Sequence, residues 1–296
     1  LQTRAFFLEA LQRLQPDILH THLGADQWAG MAARSLRTMR WISTIHNDAK
    51  DDPFVRHALR GFMYRRADQV VCISQAVKKY AQKEFRVPVE RLSIIRNGIN
   101  LQALKPRSSQ DFSDIPRILC IGRLTEQKGQ DILLRSLAKI TRPWHLDIVG
   151  DGPDKASLVA LAESKGIAPR VTFTGVVSDV ATRLSKADLV CIPSRWEGQS
   201  LVLLEAAGSG VPVLVQDLPI FHELFDEGLL GYVPSTKPEA WTVAIEEILQ
   251  SPSNALLRAY HAEDRVKQSF SRTRMAEEYL ACYDQLLNKT SIASRV

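Results

Sequence analysis

Short apolar runs alternate with amphipathic helical segments along almost the whole chain, and that alternation limits the possible folds more than any composition figure. Strands separated by helices of this length pair in parallel, with helices covering both faces of the sheet. Residues 1–14, LQTRAFFLEALQRL, carry the period of a helix, and Pro16 to His22 read as a buried strand. A helix from Asp26 to Leu36 leads to a strand from Trp41 to His46. After a loop rich in Asn47, Asp48, Asp51, Asp52 and Pro53, a basic helix from Val55 to Arg66 leads to a strand from Gln69 to Ser74. A helix from Gln75 to Phe85 then precedes the run Leu92 to Ile95 and the turn Asn97-Gly98. Residues 100–116, with two prolines and several serines and acids, break the pattern and read as a linker.

Beyond the linker the alternation restarts. Strands are expected at 117–122, 146–149, 171–174, 187–193 and 212–215, with helices at 130–140, 154–165, 180–186, 200–208 and 220–226. Residues 238 to 289 read as helix throughout, broken at Ser251-Pro252-Ser253. The last helix carries Tyr279, Leu280, Tyr283, Leu286 and Leu287 on one broad apolar stripe, which must be covered by something. A chain of 296 residues has room for two domains. The expected fold is therefore α/β, two Rossmann-like doubly wound parallel-sheet domains at 1–104 and 105–275 facing each other across a cleft, with a terminal helix, 276–296, crossing back to the first domain. In such sheets ligands bind beyond the carboxyl ends of the strands.

Composition narrows the class of protein. An apolar fraction of 45% and a charged fraction of 24% are those of an ordinary soluble protein. Charge is uneven: residues 1–104 hold 16 Lys+Arg against 9 Asp+Glu, net +7, and residues 105–296 hold 22 against 24, net −2. A basic first half suits an anionic membrane surface or a phosphate-bearing acceptor, and equally suits ordinary solubilising helix faces. The single cysteines Cys72, Cys120, Cys191 and Cys282 read as core thiols of a reducing compartment, not as a disulfide framework. No apolar run approaches the roughly 18 residues of a membrane span, and no signal peptide is visible. His20 and His22 are close in sequence but lack a third ligand, so no metal is expected. Gly150 and Gly152 are followed by Pro153 and lack the third glycine of a nicotinamide-binding fingerprint, which excludes that class of oxidoreductase. Basic residues are not interleaved with aromatics, so nucleic acid is not an expected partner.

The chemistry concentrates in three loops. In Ser194 to Gly210, SRWEGQSLVLLEAAGSG, a polar loop ends a buried strand and an apolar helix begins near Ser200. The first N–H groups of a helix have no internal partner and carry the positive end of its dipole, so the amides around Gln199, Ser200 and Leu201 suit an anion. Glu197 lies in the mouth of that seat, and Glu205, one turn below Leu201, can accept from a neighbouring hydroxyl. A solvated Glu197 and a Glu205 paired with a basic neighbour would account for the same residues. In Gly122-Arg123-Leu-Thr-Glu-Gln-Lys128-Gly129, two cations on a glycine-bounded loop can clamp a diphosphate or remain solvated. Thr174 to Ser178, with Val176 at its centre, is small enough to let backbone groups touch a flat base, and is also what an ordinary strand end looks like.

Taken together, GRLTEQKG at 122–129, VGDGP at 149–153, TGVVSD at 174–179 and the E-x7-E pair Glu197 and Glu205 followed by Ala206-Ala207 resemble the retaining glycosyltransferases of GT-B fold, specifically glycosyltransferase family 4 (glycosyl transferases group 1). The resemblance covers nearly the whole chain. It implies that Arg123 and Lys128, beside Gly122, hold the donor diphosphate and stabilise the leaving group. It implies that Glu197 meets hydroxyls of the transferred sugar, Glu205 holds the ribose, Val176 or its neighbours face the base, and amides near Gln199, Ser200 and Leu201 complete the cradle. Gly198-Gln199-Ser200 departs from the usual pattern after the first Glu, which bears on donor choice. From the first domain it adds His46, in STIHND, as a partner of the donor sugar, though a histidine after an apolar strand can also be a plain strand cap.

The activity implied is transfer of a hexosyl group from a nucleoside-diphosphate sugar, a UDP-sugar first, to a hydroxyl with retention of configuration. The implied setting is cell-surface polysaccharide or lipopolysaccharide synthesis in the cytoplasm, with a glycan or lipid-linked acceptor met at the inner face of the membrane. No cofactor beyond the donor is expected. The first domain shows about four strands where the family has six or seven, and lacks the glycine-rich loop that opens it, so it is expected to be N-terminally incomplete. A nucleotide-sugar-binding fragment without catalytic competence is the alternative this leaves open.

Overall fold

The computed structural model describes residues 2–36, 39–46, 53–226 and 228–293, so the acid-rich loop expected at 47–52 lies outside the described residues. The chain forms two compact units, Leu1–Gly98 with Thr273–Val296, and Ile99–Arg272. The sequence placed these crossings later, after 104 and after 275. Residues 100–116, expected as a linker, belong to the second unit. Their irregular backbone is tied down: Arg107 Nη2 pairs with the buried Asp188 Oδ1 at 3.0 Å, and the Ser108 N–H donates to the Ser185 carbonyl at 2.7 Å. Proline and serine mark loss of regular structure there, not a free tether.

In the first unit α1 (Gln2–Leu14), β1 (Ile18–His22), α2 (Asp26–Leu36), β2 (Arg40–Ile45), α3 (Phe54–Tyr64), β3 (Gln69–Cys72), α4 (Gln75–Lys83) and β4 (Leu92–Ile94) follow one another. The sheet runs β1-β2-β3-β4, every pair parallel, as the spacing of strand and helix requires. Side chains alternate across it. Trp41, Val70 and Cys72 join the core with Ala32, Met63 and Val77 of the three crossover helices. Ile42, Val71 and Ile95 face the terminal helix, Arg272–Ala293, which returns to this unit as expected. The face it uses differs from the expected stripe. Met275, Tyr279, Cys282, Tyr283 and Leu286 pack on the sheet, whereas Leu280 and Leu287 are exposed, being turned too far round the helix to reach it.

The second unit contains β5 (Arg117–Ile121), α5 (Gln130–Leu137), β6 (His145–Val149), α6 (Lys155–Ser164), β7 (Val171–Gly175), α7 (Val180–Ser185), β8 (Leu189–Ile192), α8 (Leu201–Gly208), β9 (Val213–Gln216), α9 (Pro219–Leu224), β10 (Gly231–Val233), α10 (Pro238–Gln250) and α11 (Ser253–Ser269). Its sheet is parallel in the order β10-β9-β8-β5-β6-β7. The chain winds outward from β5 in one direction and from β8 in the other, so the switch point lies between those two strands. Two features escaped the sequence. The edge strand β10 is three residues long and shows no alternation to read. The helical tail is broken a second time at Phe270, which is buried, while Ser271 forms a parallel bridge with Ile99.

Candidate functional site

The candidate site of the second unit is built at the switch point. Because β5 and β8 are paired, Ile118 beside Leu189, the loops leaving their carboxyl ends emerge side by side. Gly129 lets them touch: its φ is +66°, and a Cβ there would stand 2.1 Å from the Pro193 carbonyl oxygen. The loops are then stapled. The Arg195 N–H donates to the Gln127 carbonyl at 2.8 Å, and Gln127 Nε2 returns a bond to the Trp196 carbonyl at 3.0 Å. The Arg195 guanidinium grips both oxygens of Asp131 at 2.9 Å. Burial alone would raise the Asp131 carboxyl; the hydrogen bonds and charge of Arg195, helped by backbone N–H groups, outweigh it and hold the carboxyl below its ordinary value. Gly150 does more than make a turn. With φ +135°, a Cβ on it would stand 2.0 Å from the Gly122 carbonyl oxygen, so the loop after β6 braces the loop after β5.

Within this frame Lys128 Nζ lies 2.6 Å from Glu197 Oε1, and Ser194 Oγ donates to the same oxygen at 2.8 Å. The Glu197 side chain is 5% exposed and that of Lys128 24%, so the pair is a partly sheltered one at the mouth of the two loops. Arg123 is on the same loop, exposed, and enters none of the ion pairs among the described residues. Gly122 stands beside the Lys128 stem. Ser200 caps α8, its Oγ accepting from the Leu203 N–H at 3.3 Å, while Gly198 and Gln199 are buried under the turn. The N–H groups of Leu201 and Val202 have no partner inside the helix, by its geometry. Sequence reasoning passed over Ser194, Arg195 and Asp131, since a serine, an arginine and an aspartate in polar loops carry no signal until the loops meet.

Glu205 stands apart from the Lys128–Glu197 pair. It lines a cavity of about 110 Å³ with Ile99, Leu104, Val180 and Leu184, and burial in that apolar surround raises its carboxyl above the ordinary value. The expected alternative, pairing with a basic neighbour, is not what the structure contains among the described residues. Val176, at the end of β7, is 81% exposed.

The first unit carries its own cluster at the carboxyl ends of β1 and β2, where register sets His20 opposite Ile42 and His22 opposite Thr44. His22 Nδ1 is 2.9 Å from His46 Nε2. His20 is held at both ring nitrogens, Nδ1 by Tyr283 Oη at 2.6 Å and Nε2 by Thr44 Oγ1 at 2.7 Å, and Thr44 Oγ1 is 3.1 Å from Tyr279 Oη. Burial, then the neighbouring His22 and His46, pushes His20 down to about 4, and burial followed by His22 lowers His46. Among the described residues no group of three or more His, Cys, Asp or Glu is placed to hold a metal ion. The two tyrosines were expected only as part of an apolar stripe.

Two parallel α/β units, one carrying a cation-bearing loop and a capped helix at its switch point, are the architecture of the GT-B fold. Residues 1–103 match the family model described as Glycosyltransferase Family 4, and residues 115–251 match that described as Glycosyl transferases group 1. The chain belongs to this family. An uncharacterized glycosyltransferase of Methanocaldococcus jannaschii is 27% identical over 291 residues, covering 90% of this chain and 75% of that one. An O-antigen biosynthesis glycosyltransferase of Escherichia coli, WclY, is 28% identical over 269 residues, 84% of this chain and 72% of that one. Among solved structures, Anabaena HepE in complex with UDP and glucose superposes with a TM-score of 0.87 at 19% identity, covering 95% of this chain and 81% of that one.

Proposed function

We propose that this glycosyltransferase moves a hexosyl group from a UDP-sugar to a hydroxyl acceptor with retention of configuration, in the assembly of a cell-surface polysaccharide or lipopolysaccharide. The observation that carries the reading is the Lys128–Glu197 pair beside the capped start of α8. The ion pair joins the two groups that the donor needs separately. A diphosphate entering at the loop takes Lys128 and the exposed Arg123 as counter-ions, together with the free N–H groups that begin α8. The sugar hydroxyls then donate to Glu197, so one internal ion pair is exchanged for two sets of charge-assisted bonds. As the glycosidic bond breaks, negative charge grows on the departing phosphate, and in this reading these cations and amides stabilise it. Glu205 accepts from the ribose, Val176 faces the base, and His46 meets the transferred sugar.

No metal or other cofactor is part of this reading, since positive charge is supplied by Arg123, Lys128 and a helix N-terminus. The O-antigen relative favours a surface glycan as product, and the UDP complex of HepE favours a UDP-sugar as donor. The basic excess of residues 1–104 suits a polyanionic or lipid-linked acceptor at the inner face of a membrane. Along α3 the exposed Phe54, Val55 and Phe62 give such a surface something to bury. Among the described residues no helix is long and apolar enough to cross a membrane.

The test is UDP release from a panel of UDP-sugars, in the presence of EDTA, by the wild type and the Arg123→Ala and Glu197→Ala variants. Each variant is expected to lose about 10²–10³ in turnover. Rates unchanged in both, or turnover abolished by EDTA, would overturn the assignment. Calorimetric binding of a UDP-sugar with no turnover would reduce the protein to a binding module.

A further inference from the structure

The histidine cluster of the first unit is more elaborate than a single sugar-facing histidine needs. Between His22 Nδ1 and His46 Nε2, 2.9 Å apart, there is room for one proton. One ring donates and the other accepts, and whichever way the proton lies, the role left to His46 Nδ1 is settled. If His46 donates from Nε2, its Nδ1 is an acceptor; if His22 donates, His46 Nδ1 carries the hydrogen. The tautomers of the two rings are therefore linked, and a change at His22 changes which hydrogen bond His46 can offer to anything else.

His22 is in turn held from behind. Its ring lies against that of His20, centroids 4.2 Å apart at an interplanar angle of 35°. His20 is clamped at both nitrogens, by Tyr283 from the terminal helix and by Thr44 from β2. Tyr279 completes the set at Thr44 Oγ1 and lies 5.1 Å, centroid to centroid, from the His20 ring. Burial raises the Tyr279 and Tyr283 phenols, which remain protonated and able to donate. A neutral imidazole has one donor and one acceptor nitrogen, so with Tyr283 donating to Nδ1, His20 donates from Nε2 to Thr44. A neutral His20 puts no charge beside the His22–His46 pair.

We propose that His22 is a positioning residue for His46, coupling its tautomer to that of His22, and that His20, clamped by Tyr283 and Thr44, packs against the His22 ring, so that a helix from the end of the chain helps to hold the ring that orients His46. The role rests on His46 serving the transfer, as proposed above. It assigns to the terminal helix a task beyond covering the sheet.

Two measurements test it on the full chain. The first is UDP release from UDP-glucose by wild type, His46→Ala, His22→Phe, His22→Asn and the double variant His22→Phe/His46→Ala. His46→Ala is expected to lower kcat by about tenfold or more. His22→Phe, which keeps a ring but removes the nitrogen, is expected to lower kcat to within about threefold of His46→Ala, leaving KM for UDP-glucose unchanged. His22→Asn, whose amide stands where Nδ1 stood, recovers most of the loss. The double variant falls no further than His46→Ala alone, because both remove one coupled function. If His46→Ala costs turnover and His22→Phe does not, or if the two losses multiply, the positioning role is overturned while His46 keeps its part in transfer. If His46→Ala leaves kcat untouched, both fall. The second measurement needs no turnover: imidazole 15N shifts should show His46 in one tautomer in the wild type and in exchanging tautomers in His22→Phe, with a smaller disturbance in Tyr283→Phe. His46 shifts unaltered by His22→Phe would overturn the proposal.

Discussion

Both units place a cluster of polar side chains at the carboxyl ends of a parallel sheet, and the two clusters are built on opposite principles. In the second unit the groups are charged: Lys128 against Glu197, Arg195 against Asp131, with Arg123 exposed beside them. In the first they are rings and hydroxyls, His20, His22, His46, Thr44, Tyr279 and Tyr283, joined by hydrogen bonds, with His20 and His46 pushed towards the neutral form by burial. Charge suits the recognition of an anion, since it attracts from a distance and tolerates small errors of position. Neutral networks fix direction and tautomer, and fail when one member is missing. The same sheet architecture can therefore supply an electrostatic seat in one unit and an orienting device in the other.

The largest effect that separates the two is expected from Lys128→Met. It removes the cation from the donor loop and leaves Glu197, 5% exposed, with Ser194 as its remaining hydrogen-bond partner in the pair's geometry. Turnover should fall by about 10²–10³. Stability should fall by about 1–3 kcal/mol, less than for a fully buried pair because Lys128 is a quarter exposed. Parallel measurement of kcat/KM and of the unfolding midpoint in denaturant checks both. Turnover within about threefold of wild type would mean that the charged cluster is only structural, and the contrast between the units would collapse.

The contrast also explains what could be read from the chain alone. The strands of the first unit and the loops around Lys128 and Glu197 were legible because their signals are local: an apolar run, a helix period, a cation between glycines, two glutamates across a strand-to-helix turn. That Lys128 meets Glu197 follows from the pairing of β5 with β8, which no local pattern states. The same holds for Arg195 and Asp131. The neutral cluster was the least legible of all, since its parts are ordinary residues and Tyr283 lies 263 positions from His20. A tyrosine on an apolar stripe looks the same whether or not its hydroxyl has a partner. Boundaries failed for a related reason: the break at Phe270 is made by the Ile99–Ser271 bridge, a tertiary pairing inside a sequence with helical period.

A second, smaller effect follows from acid. His20 is held neutral, pushed down to about 4 by burial and by its histidine neighbours, whereas an unfolded chain protonates it near 6.5. Its folded pKa is depressed, so the unfolded state binds the proton first, and stability is lost as pH falls from about 6.5 towards 4. The shift corresponds to about 3 kcal/mol before solvent screening and about 1–2 kcal/mol after it, because the ring is only partly buried. Asp131 is depressed as well, but from an ordinary value of 3.8, so its contribution is lost only below that. Thermal unfolding between pH 7 and 4 should therefore show a decline that His20→Gln reduces, the lowered His46 carrying part of the remainder, and that Asp131→Asn leaves unchanged. A decline of the same size in both variants would remove the distinction between the neutral and charged clusters.

The smallest effect lies where the charged unit departs from its own rule. Glu205 has a raised carboxyl with burial as the cause and lines an apolar cavity, so it resembles an unfinished site more than a structural pair. Its sign is opposite to that of Asp131. The folded chain holds the Glu205 proton more tightly than the unfolded chain, whose value is the ordinary 4.5, so ionising Glu205 costs stability above its raised pKa and costs nothing well below 4.5. Glu205→Gln should therefore raise the melting temperature at neutral pH, with the gain fading as pH falls through the carboxylate range. If Glu205 accepts from a ribose hydroxyl, the same variant should bind UDP about two- to tenfold more weakly, since the glutamine carbonyl still accepts but a charge-assisted bond becomes a neutral one. A more stable protein that binds UDP less well is the signature of a residue kept for its ligand. A variant that is more stable and binds UDP unchanged would place the nucleotide elsewhere, leaving the charged unit with Lys128, Arg123 and Glu197 as its whole site.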